Sequence, residues 1–341
     1  MKFRLHTDIP DIGLHLAIGD EVAAIGSCFA QHVGLRMRQA GWPAGAVNPV
    51  GVQYNPASIA TVLDLMLYAA CSTDAVAESK RLIEPYVFER SMGGIWHSWL
   101  HDTHFSSSSK GTCLNAAACA LANGALALRR ARVLLITFGT SRAYRLLSGG
   151  FVVSNCHKEP ARCFAEEELE VNDIVTQWRP LLRRLQQLNT GLHVVLTVSP
   201  FRYVKYGLHG NQLSKARLLL AVDQLVRNVP QCVYFPAYEI IMDELRDYRF
   251  YEADMVHPSA QAIDYVWDCF CERVMGERER TYMQQYTALR RMARHRSLRF
   301  DAEAAETLQD RIHVGWERLQ ADYHLPPGVL PPWADVAETA F

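Results

Sequence analysis

Three residues whose types suit nucleophilic catalysis lie far apart in the chain: Ser27 near the start, and Asp254 and His257 about three quarters of the way along. A serine becomes a nucleophile when a histidine takes its proton and a carboxylate fixes the tautomer of that histidine. A spacing of three lets Asp254 reach one ring nitrogen of His257 while the other nitrogen faces a hydroxyl. The alternative is an exposed aspartate beside a histidine that flanks a helix, because so short a motif is weak evidence.

The segment that surrounds Ser27 predicts a strand, a turn and a helix. Residues 22–25 form a short apolar run that is typical of a buried strand. A spacing of four, which marks one face of a helix, relates Phe29, Val33 and Met37. Ser27 therefore falls where a strand ends and a helix begins, which is where open α/β sheets place reactive groups and where helix N–H groups receive anions. The alternative is a serine that only caps the helix.

Apolar runs and amphipathic segments alternate about five times along the chain, which predicts a parallel sheet covered by helices on both faces. The clearest strands are predicted at residues 22–25, 133–138, 193–198 and 232–235. Beyond about residue 276 the apolar pattern thins and charge rises, and four prolines mark an irregular end. We therefore expect an α/β domain over residues 1–275 and a helical C-terminal extension over residues 276–341.

Composition excludes several classes of function. The chain of 341 residues has 35 basic and 36 acidic side chains, so no net charge favours nucleic acid or an anionic membrane. The basic stretch at residues 290–296 is typical of a solvated helix face. We find no run of about 18 apolar residues that would span a membrane and no apolar core of a secretion signal. The nine cysteines are scattered without a Cys-x-x-Cys pair, which favours reduced thiols and a cytoplasmic location.

No motif calls for a metal or a cofactor. Spacings of four and three among His97, His101 and His104 suit a zinc site, but aromatic residues interleave them and no His-Glu-x-x-His occurs. We expect loop residues that line a pocket, with His104 and Trp96 as substrate contacts; the alternative for Trp96 is a place in the core. Glycine-rich dinucleotide and phosphate-binding motifs are missing, and we expect Cys28 and Cys156 to be small buried residues.

The sequence from Gly26 to Ala30, GSCFA, resembles the motif that names the GSCFA family, a branch of the SGNH (GDSL-like) hydrolases. Further matches follow in order: NPVGVQYNP at 48–56, FGT at 138–140, NCHK at 155–158, VSP at 198–200, SKA at 214–216 and DMVHP at 254–258. The resemblance covers roughly residues 20 to 275. It implies a three-layer α/β/α fold of flavodoxin-like type, with Ser27 as nucleophile and Asp254 and His257 completing the triad.

The resemblance also implies an oxyanion hole, in which donors stabilise the negative charge that develops on the substrate oxygen. SGNH enzymes usually take these donors from the N–H of the serine, a glycine after the second strand, and an asparagine after the third. Gly51 fits the second donor, but no asparagine follows the third predicted strand, where Ser141 stands. Ser141, by position, or Asn155, whose amide donates two hydrogen bonds, is the candidate third donor. We favour Asn155 slightly; the alternative is that it only shapes a turn.

These features predict a serine esterase that works through an acyl-enzyme without a cofactor. The expected partner is a small-molecule or saccharide ester with a short acyl group, and an O-acetyl sugar suits the aromatic residues. The alternative is an acyltransferase or a non-hydrolytic binding module on the same fold. The resemblance implies no particular substrate.

Overall fold

The computed structural model describes residues 5–91, 93–294 and 302–334. Its strands are β1 (Val22–Gly26), β2 (Ala44–Val47), β3 (Val87–Glu89), β4 (Trp96–Ser98), β5 (Val133–Phe138), β6 (Arg142–Leu146), β7 (Val152–Val153), β8 (Phe164–Glu168), β9 (His193–Val198) and β10 (Cys232–Tyr234). Its helices are α1 (Cys28–Gln39), α2 (Pro56–Cys71), α3 (Ala75–Ile83), α4 (Lys110–Arg130), α5 (Val171–Leu188), α6 (Gly207–Asn228), α7 (Ala237–Glu239, continued by a π-helical segment Ile240–Leu245), α8 (Ala260–Val274), α9 (Glu277–Ala293) and α10 (Ala302–Tyr323).

Five parallel strands form the central sheet in the order β2-β1-β5-β9-β10. Counted within this sheet, the order is 2-1-3-4-5, that of a doubly wound α/β fold of flavodoxin-like type. The strand order reverses between β1 and β5, and ligands of such sheets bind outside the carboxyl ends of the strands at that point. The predicted five-stranded parallel sheet is confirmed, and it places the end of β1 at the crevice.

Helices cover both faces of the sheet because alternate residues of each strand point to opposite sides. In β1, Ala23 and Ile25 join the core beneath α2, α4, α5 and α6. Val22 and Ala24 face the other core, which contains side chains of α1 and α8. The result is the expected three-layer α/β/α architecture.

The C-terminal helices pack against the second of these cores. Tyr282 and Tyr286 of α9 and Trp316 of α10 are buried there, and the Tyr282 ring meets Trp42 edge-on at 5.5 Å. The predicted helical C-terminal region is thus observed, although residues 295–301 and 335–341 of it lie outside the described residues. The boundary at residue 275 stays a prediction. Within the basic stretch Arg290 is buried beside the Pro332 carbonyl, so this residue does not belong to a solvated face.

Smaller elements adjoin the carboxyl edge of the sheet. Of these, the sequence predicts only a short strand within residues 151–157, after a Gly-Gly turn, and this segment contains β7. Strands β6, β7 and β8 form an antiparallel sheet, here called the accessory sheet, which begins four residues after β5 ends. Strands β3 and β4 form a hairpin, and the Phe88 ring of β3 stacks on Trp99 at 3.5 Å. Leu146 and Val153 of the accessory sheet pack in the same cluster. These elements form a second wall opposite the strand ends.

Helix α4 is long and apolar enough, by length and composition alone, to cross a membrane. About 61% of its apolar window is buried inside the protein, where it packs against α2 and α3. This burial is typical of a core helix.

Candidate active site

Ser27 lies at the predicted junction between β1 and α1. Its backbone is extended (φ −67°, ψ 174°), and its Oγ accepts the Phe29 N–H at 3.4 Å, which makes it the N-cap of α1. Its own N–H donates to the Thr137 carbonyl of β5 at 3.1 Å. The side chain is 2% exposed. Ser27 therefore both caps α1 and lies at the carboxyl edge of the sheet, because the cap fixes its hydroxyl at the end of β1.

Gly26 permits the close approach of β1 and β5 just before Ser27. Its φ of +133° is a conformation that L side chains rarely adopt, and an added Cβ would collide with the Thr137 carbonyl oxygen. The Gly26 N–H donates to Asn48 Oδ1 at 2.8 Å, and its carbonyl accepts the Gln53 N–H at 2.9 Å. Both polar groups of this residue are therefore tied to the loop after β2.

Asp254 and His257 form a hydrogen-bonded pair in the loop before α8. His257 Nδ1 lies 2.5 Å from Asp254 Oδ2, and Asp254 Oδ1 accepts the N–H groups of Val256 and His257 at 2.9 and 3.0 Å. The backbone N–H of His257, its ring and the Val256 N–H lower the pKa of Asp254 to about 2. An ionised carboxylate at Nδ1 favours the tautomer with Nδ1 protonated, which leaves Nε2 able to accept a proton.

Contacts with the loop after β9 hold the His257 loop at the carboxyl edge of the sheet. The His257 ring packs on Phe201 with centroids 4.4 Å apart. The Arg202 N–H donates to the Val256 carbonyl at 3.2 Å. These contacts connect the pair to a strand end of the same sheet that carries Ser27.

A second set of contacts brings the His257 loop towards α1. Arg36 of α1 forms an ion pair with Asp264 of α8. Burial, followed by the charges of Arg36 and His257, lowers the pKa of His32, which lies on α1 five residues after Ser27. Within the described residues no hydrogen bond joins the Ser27 hydroxyl to the His257 ring. The structure therefore brings the pair near α1, the helix that Ser27 begins, without a direct hydrogen bond to Ser27.

A cavity of about 420 Å³ lies between the strand ends and the accessory sheet. Its lining combines residues after β1, β2, β5 and β9 with residues of β6 and β7. They are Cys28, Val52, Tyr54, Asn55, Asp102, Thr140, Arg142, Tyr144, Val153, Ser154, Asn155, Cys156, Tyr203 and Tyr206. The lining includes Cys28, the residue after Ser27, but not Ser27, Asp254 or His257 themselves. The cavity has the size of a small-ligand site.

The GSCFA family model matches residues 21–270, a range that includes every residue of this site. The chain belongs to the GSCFA family. No curated protein matches the sequence.

The predicted oxyanion donors of this GSCFA protein are mostly occupied by other partners. The Ser27 N–H is donated to Thr137, and the Gly51 N–H is donated to the Asn48 carbonyl at 2.8 Å. Ser141 is fully buried, and both its N–H and its hydroxyl bond Ser214 Oγ, at 2.8 and 3.1 Å. This geometry argues against Ser141 as a donor, because its N–H and its hydroxyl are both given to Ser214 of α6.

Asn155 does line the cavity, as the choice of a third donor requires. Its Oδ1 accepts the His157 N–H at 2.8 Å, so the side chain also shapes a turn. Asn155 therefore shapes a turn and also lines the cavity, and its role as a donor stays a prediction.

Trp96 and His104, the predicted substrate contacts, do not line the cavity. Trp96 lies on β4, where its ring is half-buried, and His104 is exposed with its ring nitrogen 3.1 Å from Asp102 Oδ1. Residue type suggested these contacts, but Trp96 lies on a strand and His104 in a short 3-10 helix, Thr103–Phe105, and neither reaches the cavity.

The histidines near β4 have separate partners. His97 Nδ1 bonds Ser106 Oγ at 2.6 Å, and the His101 ring bonds Ser98 Oγ at 2.8 Å and the Ala117 carbonyl at 3.1 Å. Burial lowers the pKa of His101 to about 3. Within the described residues no group of three or more His, Cys, Asp or Glu side chains is arranged to hold a metal.

Two cysteines expected to be buried lie instead at the cavity. Cys28 and Cys156 are half-buried and line it, and Cys28 Sγ lies 3.8 Å from the Tyr54 hydroxyl. Cys28 faces the cavity because it follows the extended Ser27 as the first residue of α1. Burial raises the pKa of the Cys156 thiol to about 11, which keeps it protonated at neutral pH.

Sequence reasoning missed Lys215, a buried cation beside the site. Its side chain is 1% exposed, and Nζ donates to the carbonyls of Gly139 at 2.5 Å and Ser199 at 2.7 Å. Those carbonyls follow β5 and β9, so one ammonium connects the two strand ends that lead to Thr140 and Tyr203 in the cavity wall. The available signal was that Lys215 belongs to the SKA match at 214–216, but this match does not indicate which groups the lysine bonds.

Proposed function

We propose that this GSCFA protein is a serine esterase of SGNH type that hydrolyses carboxylic esters through an acyl-enzyme on Ser27. One observation carries the proposal: the ionised Asp254 bonds His257 Nδ1 at 2.5 Å, on a loop held at the sheet edge where Ser27 caps α1. A carboxylate, an imidazole and a hydroxyl at one edge are the parts that nucleophilic acyl transfer requires.

In the proposed reaction Ser27 Oγ leaves its 3.4 Å contact with the Phe29 N–H and attacks the ester carbonyl carbon. His257 Nε2 takes the serine proton, and the carbonyl oxygen becomes an oxyanion. When the intermediate collapses, the protonated His257 gives that proton to the leaving alcohol. Water then attacks the acyl-enzyme by the same route and releases the acid, with the charge of Asp254 stabilising the imidazolium in both steps.

The lining of the cavity supports a small ester of a polar alcohol as the substrate. Four tyrosines, Tyr54, Tyr144, Tyr203 and Tyr206, contribute to it together with Asp102 and Asn155. Aromatic rings with polar groups beside them suit a sugar, whose ring has apolar faces and hydroxyl edges. We therefore propose a short acyl group, with an O-acetyl sugar as the candidate substrate.

A matched pair of variants tests the nucleophile. Ser27 and Ser109 are both N-caps whose Oγ accepts a backbone N–H at 3.4 Å, Ser109 at the exposed start of α4. Replacing either by alanine should cost about 1 kcal/mol of stability. Only Ser27→Ala should abolish p-nitrophenyl acetate hydrolysis and labelling by a fluorophosphonate probe. Full activity of Ser27→Ala, or a label on another residue, would refute the proposal.

An acyltransferase is the second candidate, because Ser27 is 2% exposed. A shielded acyl-enzyme reacts less readily with water and favours transfer to a bound alcohol. Product analysis with an added sugar acceptor distinguishes the two: transfer in excess of hydrolysis supports the acyltransferase.

A further inference from the structure

Asn48, in the loop after β2, forms three hydrogen bonds, and one of them joins its side chain to Gly26, the residue that precedes Ser27. Its N–H donates to the Ala24 carbonyl and its carbonyl accepts the Gly51 N–H, both at 2.8 Å. Its side-chain Oδ1 accepts the Gly26 N–H, also at 2.8 Å. Its backbone is left-handed (φ +42°), a conformation that costs energy for a residue with a side chain. The surrounding structure therefore fixes this side chain beside Gly26.

The other half of the Asn48 amide has no partner. The residue is 7% exposed, and Nδ2 is buried without a hydrogen bond within the described residues. The bond from Gly26 identifies which amide atom is the oxygen, because the opposite orientation would set two donors against each other. A buried donor without a partner is costly. Asn48 Nδ2 is one of twelve buried side-chain atoms without a hydrogen bond in the described residues, and it is distinguished by the bond of its side chain to Gly26, the residue before Ser27.

We propose that Asn48 Nδ2 is an oxyanion donor of this site. The inference rests on the proposed esterase function. A group that must bond the developing charge has no partner in the resting enzyme, because its acceptor exists only in the transition state. The backbone donors expected from the sequence, Ser27 and Gly51, are given to carbonyls instead. In this proposal Asn48, in the loop after β2, provides the side-chain amide that the family resemblance leads one to expect after the third strand, β5.

The burial of Asn48 suits this role. Ser27 and Asn48 are 2% and 7% exposed. Neither lines the cavity itself, whose lining includes Cys28, the residue after Ser27, and Val52, four residues after Asn48. A hydrogen bond to a charge is stronger where water is excluded. The donor also moves little, since Asn48 shares a hydrogen bond with the peptide that leads into the nucleophile.

The test is Asn48→Asp, which keeps the Oδ1 acceptor for Gly26, tolerates the left-handed backbone and removes the NH2 group. Asn48→Gly, which suits the same φ and carries no charge, is the second variant. In both, kcat for p-nitrophenyl acetate should fall by roughly 10² to 10³, with KM within about threefold. Asn155→Asp makes the same change in the competing donor, and it is a matched control because Asn155 Oδ1 also accepts a backbone N–H.

A trifluoromethyl ketone provides a readout that a structural role would not move. It forms a hemiketal oxyanion on a reactive serine, so its inhibition constant should rise by roughly 10² to 10³ in both Asn48 variants. Active sites are counted by fluorophosphonate titration. The proposal is overturned if kcat per titrated site is unchanged, or if Asn155→Asp takes the loss while both Asn48 variants stay active. Activity that persists in Ser27→Ala would instead refute the esterase itself.

Discussion

Replacing the buried Lys215 by methionine should change how the stability of the protein depends on pH. Lys215 is 1% exposed, its Nζ bonds two backbone carbonyls, and within the described residues it forms no ion pair with an acidic side chain. Methionine has a similar shape and no charge. At neutral pH two effects oppose each other, because the variant loses an unfavourable buried charge but leaves the Gly139 and Ser199 carbonyls unpaired.

The pKa of Lys215 gives the sign and size of the pH effect. Burial lowers this pKa from its usual 10.5 to about 7. Between these values the unfolded chain holds the proton and the folded protein has released it, so stability rises with pH. One pH unit corresponds to about 1.4 kcal/mol per group, so raising the pH from about 7 to about 9.5 should stabilise the wild type by roughly 3 kcal/mol through Lys215 alone. The methionine variant lacks this gain.

Urea denaturation at about pH 7 and about pH 9.5 measures the effect, because other titrating groups cancel when two variants are compared. The wild type should gain roughly 3 kcal/mol over Lys215→Met across this interval. Lys80→Met, which changes an exposed lysine on α3, should run parallel to the wild type. If Lys215→Met also runs parallel to it, the folded protein keeps the Lys215 proton throughout and the reasoning is refuted.

Three more predictions concern the site and its support. Gly26→Ala should cost about 3 kcal/mol or more in denaturant unfolding, because its Cβ would collide with the Thr137 carbonyl; Gly111→Ala, on an open face of α4, should not destabilise. Burial lowers the pKa of His157 to about 4. As the pH falls from about 6.5 to about 4, the unfolded chain takes up a proton that the folded protein does not, so the wild type should lose roughly 3 kcal/mol of unfolding free energy that His157→Asn does not lose. Urea unfolding at a series of acid pH values measures this difference. Asp254→Asn should lower kcat by roughly 10³ to 10⁴ in ester hydrolysis with the fold intact by circular dichroism, since the imidazole loses its tautomer; an unchanged kcat would contradict the triad.

The central sheet was predictable because its signals are local. The observed strands β5 and β9 have the bounds that their apolar runs predict, residues 133–138 and 193–198. Asn55 and Pro56 begin α2, at the N-cap and first helical positions that these residue types favour, with Asn55 Oδ1 accepting the Ser58 N–H at 2.8 Å. In the accessory sheet only β7 lies in a segment that the sequence predicts as a strand. Strands β6 and β8 were missed because they are short and mostly half-buried, and their pairing depends on contacts that periodicity does not encode.

The candidate site divides in the same way. A cap at Ser27 and a pair spaced by three at Asp254 and His257 can be identified from neighbouring residues alone. The cavity cannot, because residues such as Tyr54 and Tyr203 come from separate loops of the fold. Trp96 and His104 were expected at the site on residue type, and they do not line the cavity. The position of a residue at the strand ends of the folded protein, and not its chemical type, decides whether it lines the cavity.

Two motifs that the sequence presents as separate matches form one structural unit. The GSCFA segment supplies Gly26, and the segment from Asn48 to Pro56 surrounds it: Asn48 takes the Gly26 N–H, and Gln53 gives its N–H to the Gly26 carbonyl. Because Gly26 lacks a side chain, the same peptide also lies against Thr137 of β5. Ser27 is therefore held from three strands at once. If Ser27 is the nucleophile, the loop after β2 fixes the position of its hydroxyl as much as β1 does. Substitutions at Asn48 or Gln53 should therefore affect activity more than their distance from Ser27 along the chain suggests.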